Sequence, residues 1–221
     1  MAVFHPQPQN LPAEFPVFPL PGALLLPRGR LPLNIFEPRY LAMIEDSLAM
    51  PRMFAMIQPD PNAPDGATGP GLYRIGCLGR LSSFSETDDG RFLITLTGLI
   101  RFNLAEELAM QRGYRRVRGD FSPYLDDLDL TPQPMGVERE VLLTALRGYF
   151  MRRKFAANWD AVRRMPDEAL VSTLSMICPF EPAEKQALLE GPTEADRAAT
   201  LLALLQMGAA EPDLPSGRPV S

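Results

Sequence analysis

Histidine is all but missing from this chain of 221 residues: the one copy, His5, stands in a proline-flanked stretch near the start. Imidazole is the usual general base near neutral pH, so no histidine-dependent triad or multi-histidine metal site can be assembled. Lysine is nearly as scarce, with Lys154 and Lys185 set against 20 arginines. Arginine is a poor base because it stays protonated. Two widely separated cysteines, Cys77 and Cys178, are too few for a disulfide framework or a metal knuckle. They read as small buried hydrophobes, and as reduced thiols of a cytoplasmic protein. No Gly-x-x-x-x-Gly-Lys-Ser/Thr loop is present to cradle a nucleotide phosphate. No apolar run approaches the ~20 residues of a membrane span; the richest, Leu20 to Leu26, is short and flanked by prolines. The opening MAVFHPQPQN does not read as a secretory signal. These absences move the expectation from enzyme toward binding module, with no catalytic residue, cofactor, metal or membrane partner assigned.

Proline, by contrast, is dense: 24 copies, 14 of them in the first 70 residues. Each interior proline removes a helical donor and clashes with the preceding turn, so the front of the chain must be extended strands and turns. Residues 1–13 read as a disordered arm. Glu14–Leu20 and Arg30–Phe36 read as short strands, confined by their prolines to edges or strand ends. A helix is expected over 38–50, opened by Pro38 and carrying Tyr40, Leu41, Ile44 and Leu48 on one face. Met53–Gln58 reads as a buried strand and 59–71 as a mobile loop. Strands are expected over Tyr73–Ser85, Arg91–Leu104 and Tyr114–Tyr124. The second alternates cleanly, with Phe92, Ile94, Leu96, Gly98, Ile100 and Phe102 on one face, and Asp89-Gly90 marks a hairpin before it.

The period changes near Thr131. Val137, Val141, Leu142, Ala145, Leu146 and Tyr149 follow helical spacing, as do Leu170, Leu174 and Ile177. A last helix opens at the capping-box variant Thr193-Glu-Ala-Asp196 and is expected to end near Gly208. The division reads as a β subdomain over 14–124, a linker over 125–131, a helical subdomain over 132–208 and a disordered tail over 209–221. This is an α+β arrangement, a twisted and mostly antiparallel β unit with one helix followed by a helical bundle.

Several motifs invite functional readings. Glu37-Pro38-Arg39 looks like an active-site charge pair but fits the opening of a helix better. Asp126, Asp127 and Asp129 lack the spaced oxygen ligands and glycine of a calcium loop, and read as a solvated linker. Arg112, Arg115, Arg116 and Arg118 lie in a segment, 111–164, of net charge +4, flanked by segments of net −3 and −6. The whole chain carries net −5, and helix acids are available to pair with these arginines, so nucleic acid is not the expected partner. Trp159 reads as a packing anchor between subdomains. Met43, Met53 and Met56 read as core, Met110 and Met135 as surface.

The run Phe15-Pro-Val-Phe-Pro-Leu-Pro-Gly, then Leu26-Pro, then Leu31-Pro-Leu-Asn-Ile-Phe-Glu-Pro-Arg-Tyr40, resembles the opening of the Lon substrate-binding domain family. These are relatives of the N-terminal domain of the ATP-dependent Lon protease. The match continues through Met43-Ile-Glu-Asp46, Ile75-Gly-Cys-Leu-Gly79 and Leu96-Thr-Gly-Leu-Ile-Arg-Phe102. The resemblance implies a PUA-like β subdomain, and a non-catalytic module that recognises exposed apolar segments of unfolded or damaged proteins. It implies a protease or chaperone as working partner; the chain departs from full-length Lon proteases in carrying neither the ATPase nor the protease module, and reads as a stand-alone form. An RNA-binding PUA-like module and a carboxylate-dependent enzyme are the alternatives. No residue pattern sets an oligomeric state.

An unfolded segment offers apolar side chains and unpaired backbone groups. The complementary surface is an apolar groove beside an open strand edge, which the proline-rich front should supply. Phe18, Leu24, Leu25 and Leu26 are the residues expected to line it; the competing reading has the leucines cover the open end of the sheet.

Overall fold

The computed structural model describes residues 6–49 and 51–210, apart from the side chain of Glu168. Residues 1–5 of the expected arm and 211–221 of the expected tail lie outside the described residues. The chain forms two compact units. One takes residues up to Pro132 together with Ser172–Glu190; the other takes Gln133–Val171 and the chain from Gly191 on.

The first unit is built on six strands: β1 (Glu14–Pro19), β2 (Arg30–Ile35), β3 (Met53–Ile57), β4 (Ile75–Glu86), β5 (Phe92–Gln111) and β6 (Tyr114–Asp120). They run in the order β2-β5-β4-β3-β1-β6, and β6 also pairs with β5, so five strands close into a ring. Only β1 and β3 pair in parallel; the other ladders are antiparallel. Closure depends on the 20-residue β5. Its first part pairs with β2 and β4, and its end pairs with β6. The strand runs seven residues past the expected end at Leu104, because ion pairs replace apolar alternation on this exposed ribbon. Glu106 meets Arg118 and Glu107 meets Arg115.

The ring interior is filled by the inward residues of the alternating strands. Phe15, Val17, Ala55, Leu78, Ile100, Phe102 and Val117 make its centre. All five residues of β3 are buried, since it lies between two strands. β1 is not confined to an edge despite Pro16 and Pro19. Its ladder with β6 covers residues 14–17 and that with β3 covers 17–19, so the two overlap only at Val17. The Thr87–Arg91 turn joins β4 to β5 where Asp89-Gly90 signalled it.

Between β2 and β3, helix α1 (Pro38–Ala49) begins at the expected proline and buries Tyr40, Met43 and Ile44. The arm is not free over its described part. Pro8–Asn10 form a 3-10 turn, and Leu11 packs on the ring core. The segment 125–131 is not a solvated linker either. Ser122–Leu128 make a 3-10 stretch whose Leu128 packs on the core.

Periodicity groups residues 172–190 with the expected helical subdomain over 132–208, yet they belong with the ring. Helix α5 (Pro182–Glu190) is pinned there by polar contacts. Gln58 Nε2 donates to the Pro182 carbonyl and to Gln186 Oε1, at 3.0 and 3.2 Å. Lys185 Nζ donates to the carbonyls of Gly22 and Met176, at 2.7 and 3.2 Å. Hydrogen-bond partners this far apart in sequence leave no periodic signature.

The second unit holds α2 (Arg139–Arg153), α3 (Trp159–Arg164) and α6 (Glu194–Ala210). Helix α4 (Asp167–Ile177) starts in this unit and ends in the first. The capping box is formed: Asp196 N–H donates to Thr193 Oγ1 at 3.1 Å, and Thr193 N–H donates to Asp196 Oδ2 at 3.2 Å. Gly208 does not end α6; the helix passes through it to Ala210. Its role is close approach, because a Cβ there would sit 2.4 Å from Tyr149 Cε2. Trp159, expected as an anchor between subdomains, packs on Phe150 of its own unit, with ring centroids 5.8 Å apart. Met135 is buried, whereas Met110 is half exposed as expected.

Candidate functional site

The four residues expected to contact a peptide are core. Phe18 is 7% exposed, and Leu24, Leu25 and Leu26 are 2%, 1% and 0%. Phe18 stacks on Tyr40 at 4.1 Å between centroids. The leucines follow the competing reading and cover the sheet. Gly79 and Gly98 face each other at a register shift of the β4–β5 ladder, which leaves a notch in the sheet. Leu25 and Leu26 fill it: a Cβ on Gly98 would lie 2.0 Å from the Leu26 carbonyl oxygen. The pair of glycines was the sequence signal for this burial.

The open edge expected in the proline-rich front does exist, one strand further on, at β2. Among the described residues this strand ends the sheet order and pairs only with β5. Gly98 N–H donates to the Gly29 carbonyl at 2.9 Å, which sets the phase of the ladder. Two-residue alternation then turns the backbone groups of Leu31, Leu33 and Ile35 toward β5, and those of Arg30, Pro32 and Asn34 outward. Pro32 sits at the outward phase, where its missing N–H costs the ladder nothing. The outward edge therefore offers donors at Arg30 and Asn34 and carbonyl acceptors at all three, and all three residues are exposed.

Large apolar side chains flank this edge. Phe36 is 61% exposed, Leu93 45% and Phe84 40%. Leu93 stands opposite Asn34 on β2 and Ser85 on β4. Pro32, Asn34, Ser83, Ser85, Leu93 and Thr95 line a shallow groove of about 440 Å³. Phe84 packs edge-on against Phe92 at 5.0 Å. Among the described residues no charged side chain lines this groove, so an apolar segment would lose little in displacing its water.

The arginines that suggested nucleic acid are engaged by carboxylates. Arg112 meets Glu45 and Asp46 at 2.7 Å each, Arg115 meets Glu107 at 2.6 Å, and Arg116 and Arg118 share Glu14. Burial works against ionised Asp46, but hydrogen bonds from Tyr114 and Arg112 hold its carboxyl below the usual range. The hydrogen bond from Arg118 does the same for Glu14. Glu37 and Arg39 pair with each other at 2.8 Å at the start of α1. Of the acidic triplet, Asp127 holds Arg101 in a buried pair at 2.8 Å. Among the described residues no group of three or more His, Cys, Asp or Glu side chains is placed to hold a metal. Burial pushes the Cys178 thiol up to about 12 and the Lys185 ammonium below its ordinary value. Both groups are buried, and the lysine is occupied by carbonyls.

Comparison with known proteins agrees with this frame. The family described as "ATP-dependent protease La (LON) substrate-binding domain" matches residues 14–207. Lon protease 1 of Thermus thermophilus is 26% identical over 196 residues, covering 87% of this chain and 24% of that protein. The chain spans only 11% to 24% of the length of the curated Lon proteases it matches. The crystal structure of a Lon N-terminal domain protein from Xanthomonas campestris superposes with a TM-score of 0.56 at 21% identity, over 86% of this chain and 97% of that one. The N-terminal domain of a Mycobacterium avium complex Lon protease gives 0.56 at 15% identity, over 87% and 97%.

Proposed function

The chain belongs to the Lon substrate-binding domain family, and on that premise we propose that it is a non-catalytic module that captures unfolded protein segments by strand addition at β2. The observation that carries this reading is the open β2 edge beside an uncharged groove. An extended segment pairs its backbone with Arg30, Pro32 and Asn34 and lays alternate side chains against Leu93 and Thr95. Main-chain bonds make such capture tolerant of sequence, as recognition of damaged proteins requires. Pro32 removes the central donor, which limits edge-to-edge association of the module itself. The captured segment would be handed to a protease or chaperone, and two buried free thiols suit a reducing, cytoplasmic setting.

The test is Asn34→Pro, which deletes the outward N–H without removing a bond to β5. Titration of a fluorescent, reduced and carboxymethylated protein should show affinity at least about fivefold weaker, the equivalent of one backbone hydrogen bond. Asn34→Ala, which keeps the N–H, should bind as the parent does. Equal affinity of a folded Asn34→Pro variant refutes strand addition.

A further inference from the structure

Positive charge is concentrated in one stretch of the second unit. Residues 147–164 hold six cations and one acid, Asp160, a net +5 in a chain of net −5. The fold gathers this stretch at the end of α2. Trp159, which opens α3, lies against Phe150 at 5.8 Å between ring centroids, and Phe155 lies against Phe150 at the same distance. The Arg147 guanidinium sits over the Trp159 ring at 5.6 Å. Lys154 ends α2 in the left-handed conformation, with φ +56°.

Arginines elsewhere are neutralised at close range: Arg39, Arg91, Arg112 and Arg118 each meet a carboxylate at 2.8 Å or less. The cations of this stretch are held differently. Arg152 and Arg153 have partners of their own. Arg147 faces a ring, and Arg164 Nε donates to the Asp160 backbone carbonyl at 3.1 Å. Arg163 has the Asp160 carboxylate only at 3.9 Å, with both side chains more than half exposed. Among the described residues no carboxylate pairs with Lys154. Apolar side chains stand open on either side of that lysine in sequence: Met151 is 80% exposed and Phe155 43%. A side chain as open as Met151 lies in no groove, so the patch suits a plane better than a threaded segment.

We propose that this end of the second unit docks on the surface of an anionic lipid bilayer. Met151 and Phe155 enter the headgroup boundary, and Arg147, Lys154, Arg163 and Arg164 meet the lipid phosphates. Cations interspersed with exposed apolar tips are the pattern of interfacial binding, in which buried apolar area and electrostatic attraction add. The long stems of lysine and arginine keep their charged heads at the headgroups while the apolar tips go deeper. The contact is peripheral and needs no spanning helix; among the described residues no helix is long and apolar enough to cross a membrane. A nucleic-acid strand, the other extended polyanion, fits less well. The aromatic rings here are engaged by one another and by Arg147, which leaves little for bases to stack on. Met151 adds nothing to a phosphate backbone.

Co-sedimentation of the full chain with lipid vesicles tests the patch. Binding is expected to vesicles of phosphatidylcholine mixed with phosphatidylglycerol and not to phosphatidylcholine alone, and it should weaken as salt is added. Each cation near such a surface is worth about fivefold in affinity, so Lys154→Asn/Arg163→Gln should bind about 25-fold more weakly. Both positions are exposed, and asparagine tolerates the left-handed backbone at 154, so the variant should stay folded. Met151→Ser should weaken binding about tenfold by removing the apolar tip. Arg118→Gln, in the first unit, is the unaffected control. Equal binding to both kinds of vesicle, binding to neither, or mixed-vesicle binding indifferent to the double variant and to Met151→Ser overturns the proposal. A fluorescent single-stranded oligonucleotide that binds where vesicles do not, and is released by the double variant, overturns it in favour of nucleic acid.

Discussion

Replacing Asp127 by alanine should destabilise the chain more than any change to its exposed ion pairs. Asp127 Oδ2 accepts from Arg101 Nε and from the Arg101 backbone N–H, both at 2.9 Å, and Oδ1 accepts from Nη2 at 2.8 Å. The side chains are 5% and 9% exposed. The same carboxylate thus neutralises a buried cation and satisfies β5 between its ladders to β2 and β6. Burial opposes the charge on Arg101, yet the bonds from Asp127 hold its pKa above the ordinary value. In Asp127→Ala the guanidinium stays charged, with the Leu189 carbonyl at 3.3 Å and the Tyr124 ring at 4.7 Å among its neighbours. Breaking a buried pair from one side costs about 3–5 kcal/mol, a large share of a typical stability of about 5–15 kcal/mol. Urea denaturation reads this as a midpoint lowered by about 1.5–2.5 M, for a slope of about 2 kcal/mol per M. The double variant Arg101→Met/Asp127→Asn should recover most of the loss, since no charge is then left unpaired and the amide oxygen still accepts the backbone N–H of residue 101. A loss below about 1 kcal/mol, the scale of exposed pairs such as Arg118–Glu106, would refute the reasoning. So would a double variant as unstable as the single one.

Two further outcomes follow from packing and burial. Gly98→Ala drives a methyl to 2.0 Å from the Leu26 carbonyl oxygen; the loss should reach or exceed the top of the ~1–3 kcal/mol range for overpacking, checked by the thermal midpoint. Above pH 9.0 the unfolded Cys178 thiol ionises while the folded one stays protonated up to about 12, so stability should fall across that window. Lys185 acts in the opposite sense, because its lowered folded pKa makes stability rise as it loses its proton. Cys178→Ala should therefore flatten the alkaline decline, to which the raised pKa values of Tyr40, Tyr73, Tyr114 and Tyr124 also contribute, and an unchanged pH profile would exclude the thiol as a cause.

Local periodicity and turn chemistry settled much of this protein before any packing was known. The strict alternation from Phe92 to Phe102 makes a buried strand in any twisted sheet. Pro38 opens α1, and Thr193 with Asp196 opens α6, through bonds confined to one turn. The resemblance of Phe15–Tyr40 to a known family also fixed the α+β class. What sequence could not show depends on partners far along the chain. The alternation that makes a strand does not say which edge stays open; β2 is open because β5 takes β6 on its later half and β2 only on its first. Leu24, Leu25 and Leu26 look like an exposed apolar turn until Gly79 and Gly98, more than fifty residues away, supply the notch that buries them. Asp127 looks like one carboxylate of a solvated triplet until Arg101 comes within 2.8 Å. Short-range bonds are written in neighbouring residues, but burial is a property of what the rest of the chain places on top, and only the tertiary structure decides it.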